Sequence, residues 1–557
     1  MVHRALLIAA TAAFLTGAAW SAEAAGATPA ASAPLAPVGA ASRPAPLLVL
    51  PDGANPHPVR LVLPPRKPLS AVARLGRELF FDPRLSGSGR VSCASCHSPE
   101  HAYGPPNALP VQIGGSRMNR SGVRAAPSLE YLYRQQNFSI GPDNEENETI
   151  TLQQLVQLGK QATRVRKTAH DTAASGANLV PQGGLFWDGR VNTLQQQADG
   201  PLFNPLEMDA GSVATVAAKL RGGGYARQFR QLFGPGMLNN SQFLVSEALF
   251  ALARFQIEDP SFHPFTSKYD AWLQGKARFT PTQARGYVAF NDPRKGDCAA
   301  CHLDRPGADG QPPLFTDTQY EALGVPRNPA IPANRDPHYH DLGLCGPYRT
   351  DLARQTQYCG MFLTPTLRNS ATRHAFFHNG VYHSLAQVLD FYDFRDTRPA
   401  RIYPVVDGKV DQYNDLPARY RANVDHTDPP FDRKAGQRPA MSARDMRDII
   451  AFLKTLNDGW RGEGAPSVAG REPGSVPPRG THPTLGRPCG GCALDNGEAS
   501  RLPPVSGGEG VAPFVAGGGP RSVPPRGTHP ALGRPCGGCA LDNGEASRLP
   551  PVSGGGA

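Results

Sequence analysis

Beyond its first 25 residues the chain has no apolar run long enough to cross a bilayer. A spanning helix takes about 20 such residues, so the mature chain is expected to carry no membrane span. Blocks of basic residues are missing too. The formal net charge of +10 comes from Lys and Arg scattered along the sequence, which argues against nucleic-acid binding and describes a solvated surface. Histidine is absent from Ala102 to Ala169. Beyond Trp460 the sole aromatic residue is Phe514, and Pro, Gly and Arg replace any helical period, so a disordered tail is expected.

What is present begins with a leader. His3 and Arg4 precede the apolar residues 5–20, and small residues around Ala22 and Ala24 offer cleavage sites, so residues 1–25 read as a signal peptide. Residues 26–65, rich in Ala and Pro, read as a linker. Then Leu69, Val72, Leu75, Leu79 and Phe80 fall at helical spacing ahead of Cys93-Ala94-Ser95-Cys96-His97. Two thiols one helical turn apart, with an imidazole behind the second, form the attachment signature of a c-type haem. The pattern returns as Cys298-Ala299-Ala300-Cys301-His302. Zinc would need more ligands at short spacing, and none follows either motif.

The expected cofactors are therefore two covalently bound haem c groups, held by Cys93, Cys96, Cys298 and Cys301, with His97 and His302 on the irons. An exported chain with covalent haem belongs in the periplasm. The second motif also follows a helix, opened by Thr280-Pro281 and carrying Ala284, Tyr287, Val288 and Phe290. Phe81-Asp82-Pro83-Arg84 matches Asn291-Asp292-Pro293-Arg294, as if one small helical module were used twice. The expected fold is mainly α: two cytochrome-c-like haem domains, residues 66–260 and 261–460, with disordered ends. Further helices are expected over 214–232, 241–257 and 442–456, the last packing back on the first domain.

The missing histidines matter here. With only His97 on the first iron, its other face is open to small molecules, as chemistry requires and electron transfer does not. Met118 is the lone thioether in the loop that follows, and His170 lies in a polar insertion, residues 160–177. Residues 185–209 are broken by Gly and Pro and read as irregular. Within them Glu207 sits beside Pro205, Leu206 and Met208. Apolar surroundings would raise its pKa and suit it to proton transfer, although a surface glutamate is the commoner arrangement.

Over residues 69–456 the sequence resembles the bacterial di-haem cytochrome c peroxidase/MauG family, through both CxxCH motifs, the Phe186-Trp187-Asp188-Gly189-Arg190 stretch and the Asn204-Pro205-Leu206-Glu207-Met208 stretch. The resemblance implies that Trp187 lies between the haems and relays electrons, while Gln197 and Glu207 line the distal pocket of the peroxide-binding haem. Thr364-Pro365-Thr366-Leu367-Arg368-Asn369 also matches, and Arg368 is expected on a haem propionate. His378 of the Phe377-His378-Asn379-Gly380 motif is not the family's axial ligand. That ligand comes 14 residues later, at Tyr392, where reductively activated members carry Met. A phenolate favours ferric iron. The family's calcium ion is argued against by Tyr131, Arg373 and Ala375 at its ligand positions. Cys345 and Cys359, the remaining thiols of the matched region, are expected to form a disulfide.

These readings point to a periplasmic haem peroxidase acting on hydrogen peroxide, with a small cytochrome c or cupredoxin as electron donor. A MauG-like oxidase modifying Trp or Tyr on a partner protein is the alternative. A non-catalytic electron-transfer cytochrome is the third, and residues 185–209 count against it. Residues 461–557 hold a 34-residue unit twice, at 475–508 and 522–555. Its Cys489/Cys492 and Cys536/Cys539 pairs are followed by Ala, so they are not haem sites.

Overall fold

A computed structural model of the chain describes residues 47–142 and 179–462, all within the unit Met1–Val476. The leader, residues 26–46 of the expected linker, His170 with its insertion and the duplicated tail lie outside the described residues. Residues 47–65 are not a free linker but dock on the second half of the chain, with Leu61 in its core and Trp272 Nε1 donating to Gly53 O at 3.1 Å.

Regular structure is mainly helical. The first half carries α1 (Ala71–Phe80), α2 (Cys93–Cys96), α3 (Leu194–Phe203), α4 (Val213–Gly222), α5 (Ala226–Phe233) and α6 (Ser241–Glu258). The second half carries α7 (Lys268–Leu273), α8 (Pro281–Phe290), α9 (Leu385–Phe394) and α10 (Ala443–Leu453). Among the described residues the strands form four two-stranded antiparallel ladders. One of these, Tyr320–Glu321 on Phe362–Leu363, lines the larger of the two cavities described below.

Each half is built on one helix crossing. Ser70 caps α1 by accepting from Ala73 N at 3.1 Å, and Leu75, Leu79 and Phe80 form the buried face. Helix α6 packs on that face at Gly76, where an added Cβ would lie 1.8 Å from the Ala251 carbonyl oxygen. Phe229, Phe255 and Phe262 complete the core. In the second half Thr280 caps α8, with Pro281 at the first helical position, where its missing N–H costs nothing. Helix α10 crosses α8 at Gly286, and a Cβ there would lie 1.9 Å from the Asp448 carbonyl oxygen. Trp272, Tyr287, Phe290, Phe315 and Phe452 fill this second core. Each such fully buried side chain stabilises the fold by roughly 1.5–3 kcal/mol.

Four sequence expectations change. The 214–232 helix is two, α4 and α5, interrupted at Gly223 and Gly224, the latter at φ +90°. Val288 points outward, 57% exposed. The final helix packs on α8 of its own half, where Ile449, Phe452 and Leu453 join the second core. Within residues 185–209, Gln197 and Pro201 lie on a helix, α3. Thr193 caps it by accepting from Gln196 N at 3.1 Å, and Pro201 comes so near its end that only one turn is affected.

Candidate active site

Helix α2 is a single turn, and it brings the Cys93 and Cys96 thiols to the wall of one cavity. His97 lines the same cavity. Its Nδ1 donates to the Tyr103 carbonyl at 3.1 Å, and the Pro127 backbone also bonds to the ring. Burial pulls the imidazole down to about 4, so it is neutral at pH 7, as a metal ligand must be. The second motif repeats the device. Cys298 and Cys301 line a larger cavity, and His302 Nδ1 donates to Phe315 O at 2.9 Å. Burial again brings the imidazole to about 4.

Paired thiols, a neutral imidazole with its second nitrogen fixed by a carbonyl, and a largely apolar wall are the donor set of a covalent haem. The second cavity, about 620 Å³, is within the ~300–1,000 Å³ of sites for molecules of that class. The first is tighter, about 140 Å³, and its fit rests on the donor set.

The first cavity is also lined by Gln197 of α3 and by Glu207, just beyond that helix, with Arg124 and Arg190. Glu207 presents much of its surface to open space, yet burial dominates its carboxyl and raises its pKa, because that open space is the cavity itself. Asn204 Nδ2 donates to its Oε1 at 2.6 Å and, with the charge of Arg190, offsets part of the rise. Among the described residues, no histidine besides His97 lines this cavity.

The second cavity holds Tyr392 of α9. Its ring stacks on Phe431 with centroids 5.3 Å apart, and burial pushes its phenol well up. His378 lines this cavity too, stacked on Phe362 at 3.6 Å, with Nε2 buried and without a hydrogen-bond partner. Among the described residues only Trp187 lines both cavities. Its indole donates to Ala125 O at 2.8 Å, and its own carbonyl accepts from Leu363 N at 3.0 Å. Around it runs a buried ionic network that the sequence did not announce. Arg124 is forked onto Asp341 at 2.6 and 2.7 Å and reaches Asp188 at 2.7 Å, while Arg190 holds the other Asp188 oxygen at 2.8 Å. Arg124 lines the first cavity and Asp341 the second. The signal available was the pair of charges, Asp188 and Arg190, that follows Trp187.

Arg368 departs from expectation. Its guanidinium is forked onto Asp270 at 2.8 and 3.0 Å, and its Nε donates to Pro313 O at 2.7 Å. Both side chains are buried, the arginine at 0% and the aspartate at 1% exposure, so the fork serves the core and not a propionate. Burial alone would raise Asp270; the guanidinium reverses that and holds it low. Of the positions that depart from the calcium pattern, Tyr131 donates its hydroxyl to Asp458, and Arg373 donates to Ala126 O at 2.9 Å. The expected Cys345–Cys359 disulfide is present.

A family model described as di-haem cytochrome c peroxidase matches residues 70–278. Methylamine utilization protein MauG of Paracoccus denitrificans is 34% identical over 345 residues, covering 60% of this chain and 78% of that protein. Cytochrome c551 peroxidase of Nitrosomonas europaea is 27% identical, covering 60% and 75%. The crystal structure of the diheme peroxidase BthA from Burkholderia thailandensis is similar with a TM-score of 0.59 at 35% identity, over 74% of this chain and 96% of that one. A variant of it with Tyr replaced by Met matches at a TM-score of 0.60.

Proposed function

Because this chain belongs to the family of di-haem cytochrome c peroxidases and MauG proteins, we propose that it is a periplasmic haem peroxidase. It reduces hydrogen peroxide at the His97 site with electrons passed from the His302 site. The assignment pairs a peroxidatic domain, residues 66–260, with a second haem domain, residues 261–460. The observation that carries it is the convergence of Glu207, Gln197 and Trp187 on the cavity of Cys93, Cys96 and His97.

Cys93, Cys96 and His97 would hold the haem, which when bound would supply the redox chemistry at the peroxide bond. The chain supplies the proton path. Glu207 accepts a proton from one peroxide oxygen and returns it to the other, which leaves as water. Gln197, on the same wall, orients the peroxide. The balance is one peroxide, two electrons and two protons to two waters. Trp187, common to both cavities, is the route for electrons, and Tyr392, which lines the second cavity with His302, would join it in holding that haem's iron. The electron donor is a small periplasmic cytochrome c or cupredoxin.

A second reading is favoured by Tyr392 in the second cavity: an oxidase, like MauG, that acts on a partner protein. Mixing ferric holoprotein with peroxide tests both. Peroxide consumption coupled to oxidation of a reduced small cytochrome c supports the first reading. Consumption with covalent change on a partner protein supports the second. No consumption leaves only an electron-transfer cytochrome.

A further inference from the structure

Tyr348 belongs to the loop closed by the Cys345–Cys359 disulfide, in the second half of the chain, yet it lines the cavity of the first. Its neighbour Arg349 fixes the approach. Arg349 Nη1 donates to the Asp188 carbonyl at 2.9 Å, its guanidinium lies 3.7 Å from the Phe138 ring centroid, and Nε and Nη2 hold Asp351 at 2.9 and 2.8 Å. The Tyr348 ring receives two cations, Arg124 and Arg190, each 5.2 Å from its centroid. At 38% exposure it runs from the protein surface to the cavity wall. The Asn204 amide and the Glu207 carboxylate both act on its hydroxyl, and those two groups are themselves hydrogen-bonded at 2.6 Å.

We propose that Tyr348 is a substrate-positioning residue of the first cavity, brought there by the disulfide loop, whose hydroxyl donates a hydrogen bond to the oxygen or anion held opposite His97. The inference rests on the reading of that cavity as the peroxide site. A phenol suits the role because it donates without carrying charge. The charged groups facing it are Glu207, Arg124, Arg190 and, further off, Asp341. Burial first, and then the charge of Glu207, keep the phenol protonated, so it remains a donor through the neutral range. The disulfide has a defined part: it closes the loop that carries this hydroxyl across from the other half.

The test uses ferric holoprotein and fluoride, a small anion whose binding at an open haem is read optically and needs no turnover. Tyr348→Phe should weaken fluoride binding roughly tenfold, the scale of one hydrogen bond to a charged group. It should also slow the peroxide reaction and alter its pH profile, with the spectrum of the second haem unchanged. The double variant Cys345→Ala/Cys359→Ala should show the same loss of fluoride affinity. Wild-type fluoride affinity in Tyr348→Phe overturns the proposal, and wild-type affinity in the double variant overturns the role of the bridge. Wild-type protein that binds fluoride but ignores peroxide overturns the peroxidase reading instead, leaving Tyr348 to be judged by the fluoride result alone.

Discussion

At Gly76 and again at Gly286, a helix that leads to a CxxCH motif is crossed by a partner whose backbone leaves no room for a side chain. After each crossing comes an imidazole whose Nδ1 is held by a backbone carbonyl. The two halves then diverge in what else lines the cavity of that imidazole. The first presents Glu207, Gln197 and two arginines; the second presents Tyr392 among Phe377, Phe431 and Leu389. The shared parts are those that hold a haem. The unshared parts bear on what each haem would do: a carboxylate grouped with Gln197 and two arginines on one side, and a phenol stacked on Phe431 on the other.

The sharpest way to break this contrast is Glu207→Gln. It should slow the peroxide reaction roughly 10²–10⁴-fold, as loss of a proton shuttle does, while the resting spectra of both haems stay as they were. Stopped-flow mixing measures it. The sign of the pH dependence follows from burial, which raises the Glu207 pKa above the ordinary carboxylate range. If the ionised form takes the first proton, the wild-type rate falls as pH drops through that raised value. The limb should vanish in the Gln variant.

Arg368→Gln tests the second core. Removing one partner of a fully buried pair leaves Asp270 unpaired, and stability should fall by about 3–5 kcal/mol in denaturant titrations. An Arg368 serving a propionate instead would change the haem potential and leave stability nearly alone.

Tyr392→Met asks whether the phenol sets the second haem's character. The variant should raise that haem's reduction potential on the order of 0.1 V, within the ~0.8 V that axial ligands span. Ferric wild type should react with peroxide at once, without prior reduction. An unchanged potential on redox titration removes Tyr392 from the iron.

The smallest expected effects address the shared scaffold. Gly76→Ala and Gly286→Ala should each cost about 1–3 kcal/mol of stability, by overpacking at a backbone contact. Similar losses in thermal melts would support equivalent crossings. A loss in one alone would show that the two halves tolerate strain differently.

The halves also differ in how far they could be read from sequence. Helices α1 and α8 were legible because apolar residues recur at helical spacing, and in α8 because Thr280-Pro281 opens the helix where expected. The convergence of Trp187, Gln197 and Glu207 was legible through motifs. Helix α3 was not, because Gly200 and Pro201 disguise it and its cap, Thr193, carries no long apolar stripe behind it. Arg368 was misplaced because its partner lies 98 residues away, and a tertiary ion pair leaves no local period. Tyr348 was missed for the same reason: a loop docking across the molecule is visible only once both walls of the cavity exist.

Trp187 is tethered through its indole to Ala125 and through its carbonyl to Leu363. It therefore belongs to neither half by itself, and this bears on divisibility. A chain cut between α6 and α8 would leave each fragment most of its own apolar core and its own thiol pair. Neither fragment would keep the tryptophan in register, because one of its two anchors would be on another molecule. Two such fragments, each coloured by haem, would make a mixture of cytochromes and not a slower version of the intact protein. If Trp187 is the electron route proposed above, reassociation would have to rebuild the Leu363 contact before electrons could pass, so recovered activity would report the docking of fragments and not their folding.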